Sequence, residues 1–350
     1  MVVQCDDEVW SMTFGLTPSR PPKQDTENAG RRRASLTKCP DFYNFRAPCN
    51  RLVLAVGLRN GRIRLYSVYA ARFITELIDH KLPIRQIQFR PFVFLNDNDR
   101  EKDSMILLSA SRDSTLKLWN LYDDCNMFKT LEHHEKGEWV MCCSWAPNGR
   151  WAASGGTPSS LFVYDANNWT LFRNLKGHLN VVTACQFSPD SALLASSSFD
   201  TTLILWDFQK GVKLRHFWHL LPAPRLIYAS GANGFHVRSL SFSPDGEHLA
   251  SVCDDGFLRT WSIFDAHDTP ETVAIGAVSN AMCASFSPDG AFLSVGTRGG
   301  GVRFFVSYMR VKHLTEICRG AVRKICHSND RVQNLPLSKQ LKSFLLYEFM

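Results

Sequence analysis

A serine, a histidine and an aspartate recur within one stretch of the chain. They are His178, one of Ser196–Ser198, and Asp200, with Trp206 close behind. In an unknown fold these types suggest acyl transfer, with serine as nucleophile, histidine as base and aspartate as its orienting partner. The same types also build buried hydrogen-bond networks that tie a loop and a turn to neighbouring strands. The surroundings described below favour the network, with His178, Asp200 and Trp206 as its members.

Other chemistry-bearing patterns are sparse. The eleven cysteines include no CxxC pair; Cys142-Cys143 is a vicinal pair whose side chains would point to opposite faces of a strand. Gly299-Gly300-Gly301 lacks the Lys-Ser/Thr that follows a phosphate-binding loop and reads as a hairpin turn. No metal site, cofactor or catalytic centre is expected. Arg31-Arg32-Arg33-Ala34-Ser35 fits a basic-directed kinase site at Ser35. A solvated loop with a chance match is the favoured account of it.

The elements that must position these residues form an internal repeat. FSPD occurs at Phe187–Asp190, and FSPDG at Phe242–Gly246 and Phe286–Gly290, with looser copies at Trp145–Gly149 and Phe89–Pro91. Each is followed by an apolar run ending on an aromatic residue: Leu116–Asn120, Leu161–Asp165, Leu203–Asp207, Leu258–Ser262 and Val302–Val306, with Ile63–Ser67 in the first unit. Between the landmarks, apolar residues tend to alternate, as on half-buried strands. Four short strands per unit are expected, in six units starting near Val9, Ile84, Trp139, Val181, His236 and Ser279.

This pattern resembles the WD-repeat family, most fully at Gly177-His178 with Trp206-Asp207. It implies an all-β propeller whose blades cover one another's faces. The last unit offers no fourth strand. The expectation is a seven-bladed relative that lacks its amino-terminal repeat, or else a six-bladed or imperfectly closed ring. Residues 17–51 form a Pro- and Arg-rich insertion expected to be mobile, and His216–His236 an apolar one expected to pack on the blades.

Charge separates the body from its appendages. Residues 17–51 and 309–350 each carry eight basic against three acidic side chains, while 52–308 balances. Excess charge in a loop and a tail does not make a basic face, so nucleic-acid binding is not expected. No apolar run approaches membrane-spanning length, and the amino end does not read as a secretory signal. The expected location is the cytosol or nucleus, where thiols stay reduced.

Beyond Tyr308 the period changes. Leu314, Ile317, Cys318, Ala321, Val322 and Ile325 fall on one stripe of a helix. An extended segment from Val332 to Ser338 should follow, then a short helix from Ser338 to about Phe349. Leu314, Cys318 and Val322 resemble a BC box, the elongin C-binding helix of a SOCS box. Val332, Leu335, Pro336 and Leu337 resemble the adjoining cullin-5 box, with His313 and Ser338 departing from the usual residues. Together with the repeats, these boxes resemble the WD-repeat and SOCS-box-containing proteins. The resemblance divides the chain into a propeller, 1–308, and a SOCS box, 309–350. It implies a non-catalytic substrate receptor of an elongin B/C–cullin-5 ubiquitin ligase, with elongin C, elongin B, cullin-5 and its RING partner, and a target protein as partners. A WD-repeat scaffold whose tail merely covers the last blade is the alternative.

Overall fold

In the computed structural model the described residues are 5–16, 52–91, 105–121, 125–132, 137–157, 159–219, 235–264, 269–274, 280–307, 322 and 332–346. The insertion at 17–51, with Ser35, lies outside them, as do Leu314, Cys318 and residues 308–321 that would contain the boundary at 308/309. The chain comprises two compact units, residues 1–140 and 141–350.

Six antiparallel sheets follow one another in chain order, each with its strands in sequence. The first contains β1 (Val9–Leu16), β2 (Leu52–Leu58), β3 (Arg62–Ser67) and β4 (Arg72–Ile78). The second contains β5 (Ile84–Phe89), β6 (Ile106–Ser111), β7 (Leu116–Asn120) and β8 (Asn126–Leu131). The third is β9 (Val140–Trp145), β10 (Trp151–Gly156), β11 (Ser160–Asp165) and β12 (Thr170–Lys176). The fourth is β13 (Val182–Phe187), β14 (Leu194–Ser198), β15 (Thr202–Asp207) and β16 (Val212–Trp218). The fifth is β17 (Val237–Phe242), β18 (His248–Cys253), β19 (Leu258–Ser262) and the three-residue β20 (Thr272–Ala274). The sixth has three strands among the described residues, β21 (Ala281–Phe286), β22 (Phe292–Thr297) and β23 (Val302–Val306).

The repeated FSPD phrase is a turn with a fixed hydrogen-bond pattern. Ser188, Ser243 and Ser287 each accept, through Oγ, the backbone N–H five residues on, all at 2.9 Å. The aspartate two residues after each serine accepts from the serine hydroxyl and from a backbone N–H. The turn's last residue has positive φ: Gly246, Gly290 and, in the third sheet's looser copy, Gly149. Ser191 holds the same place in the fourth sheet at φ 61°, a conformation that glycine adopts without steric cost.

Within each unit the core lies in layers between successive sheets. In the first unit, Val53, Ile63 and Leu65 meet Ile84, Ile87, Phe89, Leu107 and Trp119. In the second, one layer joins Cys142 and Val163 to Val182, Ile204 and Trp206, and another joins Leu203 and Leu205 to Val237 and Trp261. Close approach leaves no room for a side chain at Gly155, where a Cβ would lie 2.8 Å from Val182. The last layer places Ala250, Val252 and Leu258 against Ala281, Leu293 and Val295. In the sixth sheet Val302 is 59% exposed, whereas its counterpart in the fifth, Leu258, is 3% exposed.

Each inner strand of the first, second, fourth, fifth and sixth sheets shifts register at its second residue. Such a bulge frees one residue from pairing and re-aims its side chain. The residues concerned are Trp10, Arg85, Thr183, Arg238 and Met282.

Candidate functional site

The fourth sheet brings His178, Ser196, Asp200 and Trp206 together. His178 Nδ1 lies 2.9 Å from Asp200 Oδ2, and its Nε2 lies 2.7 Å from Ser196 Oγ. Trp206 Nε1 donates to Ser196 Oγ at 2.8 Å, across the β14–β15 pair. Asp200 also accepts from the Thr202 hydroxyl at 2.6 Å and from the backbone N–H of Leu179 at 2.8 Å. Burial alone would push the Asp200 carboxyl up, but the bonds from His178, Thr202 and Leu179 outweigh it and hold the group below the usual carboxylate range. Ser196 is fully buried and its oxygen is engaged from two sides. The arrangement ties the loop before β13 to the β14–β15 turn and to the third strand.

A second copy stands in the second sheet. His80 Nδ1 is 2.8 Å from Asp113 Oδ2 and its Nε2 2.8 Å from Ser109 Oγ, which accepts from Trp119 Nε1 at 2.8 Å. Asp113 is again held low against the upward push of burial. Residue types alone did not reveal this copy, because residues 92–104 separate His80 from its partners. The shared frame was nonetheless present, as Ser109, Asp113, Thr115 and Trp119 have the spacing of Ser196, Asp200, Thr202 and Trp206.

The fifth sheet keeps the frame but alters the chemistry. His219 Nε2 is 2.9 Å from Ser251 Oγ, which accepts from Trp261 Nε1. Arg259 then replaces the apolar residue found at Ile204. Its guanidinium lies 3.0 Å from His219 Nδ1 and 2.6 Å from Asp255. A guanidinium only donates, so Nδ1 must accept and Nε2 carries the proton. Burial, and then the Arg259 charge, holds His219 well below its ordinary value. His219, Cys253 and Asp255 each place a possible metal-ligand atom within 4.8 Å of the others. Arg259 already engages two of the three, and burial pushes the Cys253 thiol up to about 12, which disfavours the thiolate a metal needs. His219 also shows that the start of the second insertion belongs to the blade; residues 220–234 lie outside the described ones.

At the carboxy end, Val332, Leu345 and Leu346 form a small buried cluster, with Val322 and Leu335 packed beside it. The expected extended segment is instead a helical turn at Val332–Gln333 leading into bends, closed by Leu335 N–H donating to Val332 O at 3.2 Å. The final helix, α1 (Lys339–Leu345), is shorter than expected. Ser338 caps it, its Oγ accepting from Leu341 N–H at 3.4 Å. Lys342 Nζ donates to Gln333 O at 2.7 Å and closes the segment on itself. Val332 is fully buried, Leu335 half-buried, and Pro336 and Leu337 are exposed; Leu341 is 51% exposed.

The family model for the WD domain, G-beta repeat, matches residues 72–120, 125–165, 169–207 and 226–262. The first three matches begin near the outer strand of one sheet and end on the third strand of the next, so the sequence repeat is offset from the blade. WD repeat and SOCS box-containing protein 1 of Homo sapiens is 38% identical over 348 residues, covering 99% of this chain and 75% of that protein. Its counterpart in Danio rerio is likewise 38% identical, with the same coverage. The chain belongs to the WD repeat and SOCS box-containing family. Its six sheets are the blades of a WD-repeat β-propeller. The guanine nucleotide-binding protein subunit beta of Zea mays is 29% identical over 220 residues, 60% of this chain and 54% of that one.

Proposed function

We propose that this chain is the substrate-receptor subunit of an elongin B/C–cullin-5 ubiquitin ligase, acting in the cytosol or nucleus. The observation that carries the reading is the family's carboxy-terminal segment. Among the described residues, Val332, Leu345 and Leu346 are buried together while Leu337 and Leu341 are left open. An amphipathic segment of this kind gains by burying its exposed side chains in a partner's groove. Residues 309–350 would form the SOCS box. Leu314, Cys318 and Val322 would meet elongin C, and Leu335, Pro336 and Leu337 would meet the cullin. Val332, buried among Leu345 and Leu346, would support that face from behind.

The propeller would hold a target protein and supply no chemistry of its own. Its serine–histidine–aspartate sets would serve as struts of the blades. Catalysis would then be by proximity, since tethering a target lysine beside a charged ubiquitin carrier raises its effective concentration.

Co-expression of the full chain with elongin B and C tests the reading. A stable ternary complex is expected, and Leu314→Ala with Cys318→Ala should abolish it while leaving the propeller folded. Absence of a complex with the unaltered chain would favour a scaffold without ligase association. Indifference to the two substitutions would overturn the assigned contacts.

A further inference from the structure

In the first unit two tryptophans and two arginines converge in a way that the blade networks do not require. Trp10 and Arg85 occupy the bulges of β1 and β5, where side chains leave the pairing pattern. Arg112 lies in the β6–β7 turn beside Asp113, and its own N–H donates to Pro83 O at 3.1 Å. The Arg112 guanidinium sits 5.1 Å from the Trp10 ring centre and 4.4 Å from that of Trp139. Arg85 lies 4.9 Å from the same Trp10 ring. Two guanidinium groups thus share one indole, which keeps their charges within roughly a Debye length, about 10 Å at 0.1 M salt.

Arg112 differs from several other arginines of the blades in how its charge is met. Arg64 pairs with Glu76 and Asp6, Arg238 with Asp254, Arg259 with Asp255, and Arg59 with Glu8. Arg112 has no carboxylate partner among the described residues; its Nε is buried without a hydrogen bond, and burial lowers its proton affinity. Two acids close to it in the fold are committed elsewhere. Asp113 is held by His80, Thr115 and Lys81 N–H, and Glu8 by Arg59 and the Trp10 indole. At the equivalent bulges of the fourth and fifth sheets, Thr183 and Arg238 are satisfied within the protein. Trp139, by contrast, is 43% exposed.

We propose that Trp10, Arg85, Arg112 and Trp139 form a docking site for an anionic side chain, carboxylate or phosphate, of an extended polypeptide. A guanidinium recognises either anion through charge-assisted hydrogen bonds, and an exposed indole adds apolar contact beside it. The site would receive an acidic stretch of the captured protein, and so rests on the reading of the propeller as a target-holding body.

Fluorescence anisotropy with the full chain tests this, using three fluorescein-labelled decapeptides that alternate glycine with glutamate, phosphoserine or glutamine. The glutamate or the phosphoserine peptide is expected to bind, and the difference between them identifies the anion. Arg112→Gln should weaken binding by roughly tenfold or more, Trp139→Ala should weaken it less, and Arg150→Gln, which removes a guanidinium stacked on Trp151, should leave it unchanged. Equal binding of the glutamine peptide, no binding of any peptide up to about 1 mM, or full affinity in both Arg112→Gln and Trp139→Ala would overturn the proposal. Capture of elongin B/C by Arg112→Gln, measured in parallel, should match that of the unaltered chain. Loss of elongin capture by the unaltered chain with peptide binding intact would sink the ligase reading and leave the docking site standing.

Discussion

The fourth blade and the carboxy-terminal segment handle burial in opposite ways. In the blade, Trp206 is buried, and the polar atoms of His178, Ser196 and Asp200 meet one another, the Trp206 and Thr202 side chains or the backbone. In residues 332–346, Val332, Leu345 and Leu346 are buried while Leu337 and Leu341 face solvent. Each buried side chain contributes about 1.5–3 kcal/mol, and ordering each backbone residue costs about 1–2 kcal/mol, so each exposed leucine of the segment is stabilisation left to be gained. The blade is completed by its neighbours in the chain. The segment, on the proposed reading, is completed by another protein.

The largest effect should come from breaking the blade. Asp200→Ala removes the acceptor for His178, Thr202 and the Leu179 N–H, and is expected to cost about 3–5 kcal/mol in denaturant unfolding. The sign of its pH dependence follows from the carboxyl's position. A group held below its unfolded value stabilises the fold above about pH 4, and that contribution is lost as pH falls from about 4 through the folded value. The gap between the unaltered chain and Asp200→Ala should therefore narrow between pH 5 and pH 2, estimated from the ordinary range of about 4 for an unfolded aspartate. A gap that widens on acidification would contradict the assignment of Asp200 as a charged acceptor.

The smaller effects separate the two sides of the segment. Leu345→Ala should lower its local stability by about 2 kcal/mol, at the low end for a buried leucine. Faster amide exchange in 332–346, with the blade transition unmoved, would report it. Leu341→Ala should stay within about 0.5 kcal/mol. If the two substitutions destabilised the segment equally, Leu341 would already be covered by the chain itself, and the comparison with the blade would fail.

Much of the blade could be read from residue order. The alternation and the FSPD turns placed the inner strands within two residues of their observed starts at Val140, Val182, Val237 and Ala281. They did so because a serine–aspartate turn followed by an apolar run has few other structures available. Two features were hidden. The second copy of the network depends on His80, which a long insertion separates from Ser109 and Asp113, and linear spacing carries no record of such closure. The altered network of the fifth blade depends on Arg259, whose charge reverses the hydrogen-bonding roles of the His219 nitrogens. In the final segment the proline at 336 suggested extended backbone, yet burial of Val332 against Leu345 favours a helical turn there. Tertiary packing decided that point, and packing is what a local pattern conveys least.

Hydrogen exchange of the full chain, alone and mixed with elongin B and C, would show whether the carboxy-terminal segment is completed by a partner. Added protection is expected across residues 309–346 in the mixture, with the six blades unchanged. A stable mixture in which 309–346 exchanges as it does in the free chain would contradict it, because the exposed leucines would then have found no partner.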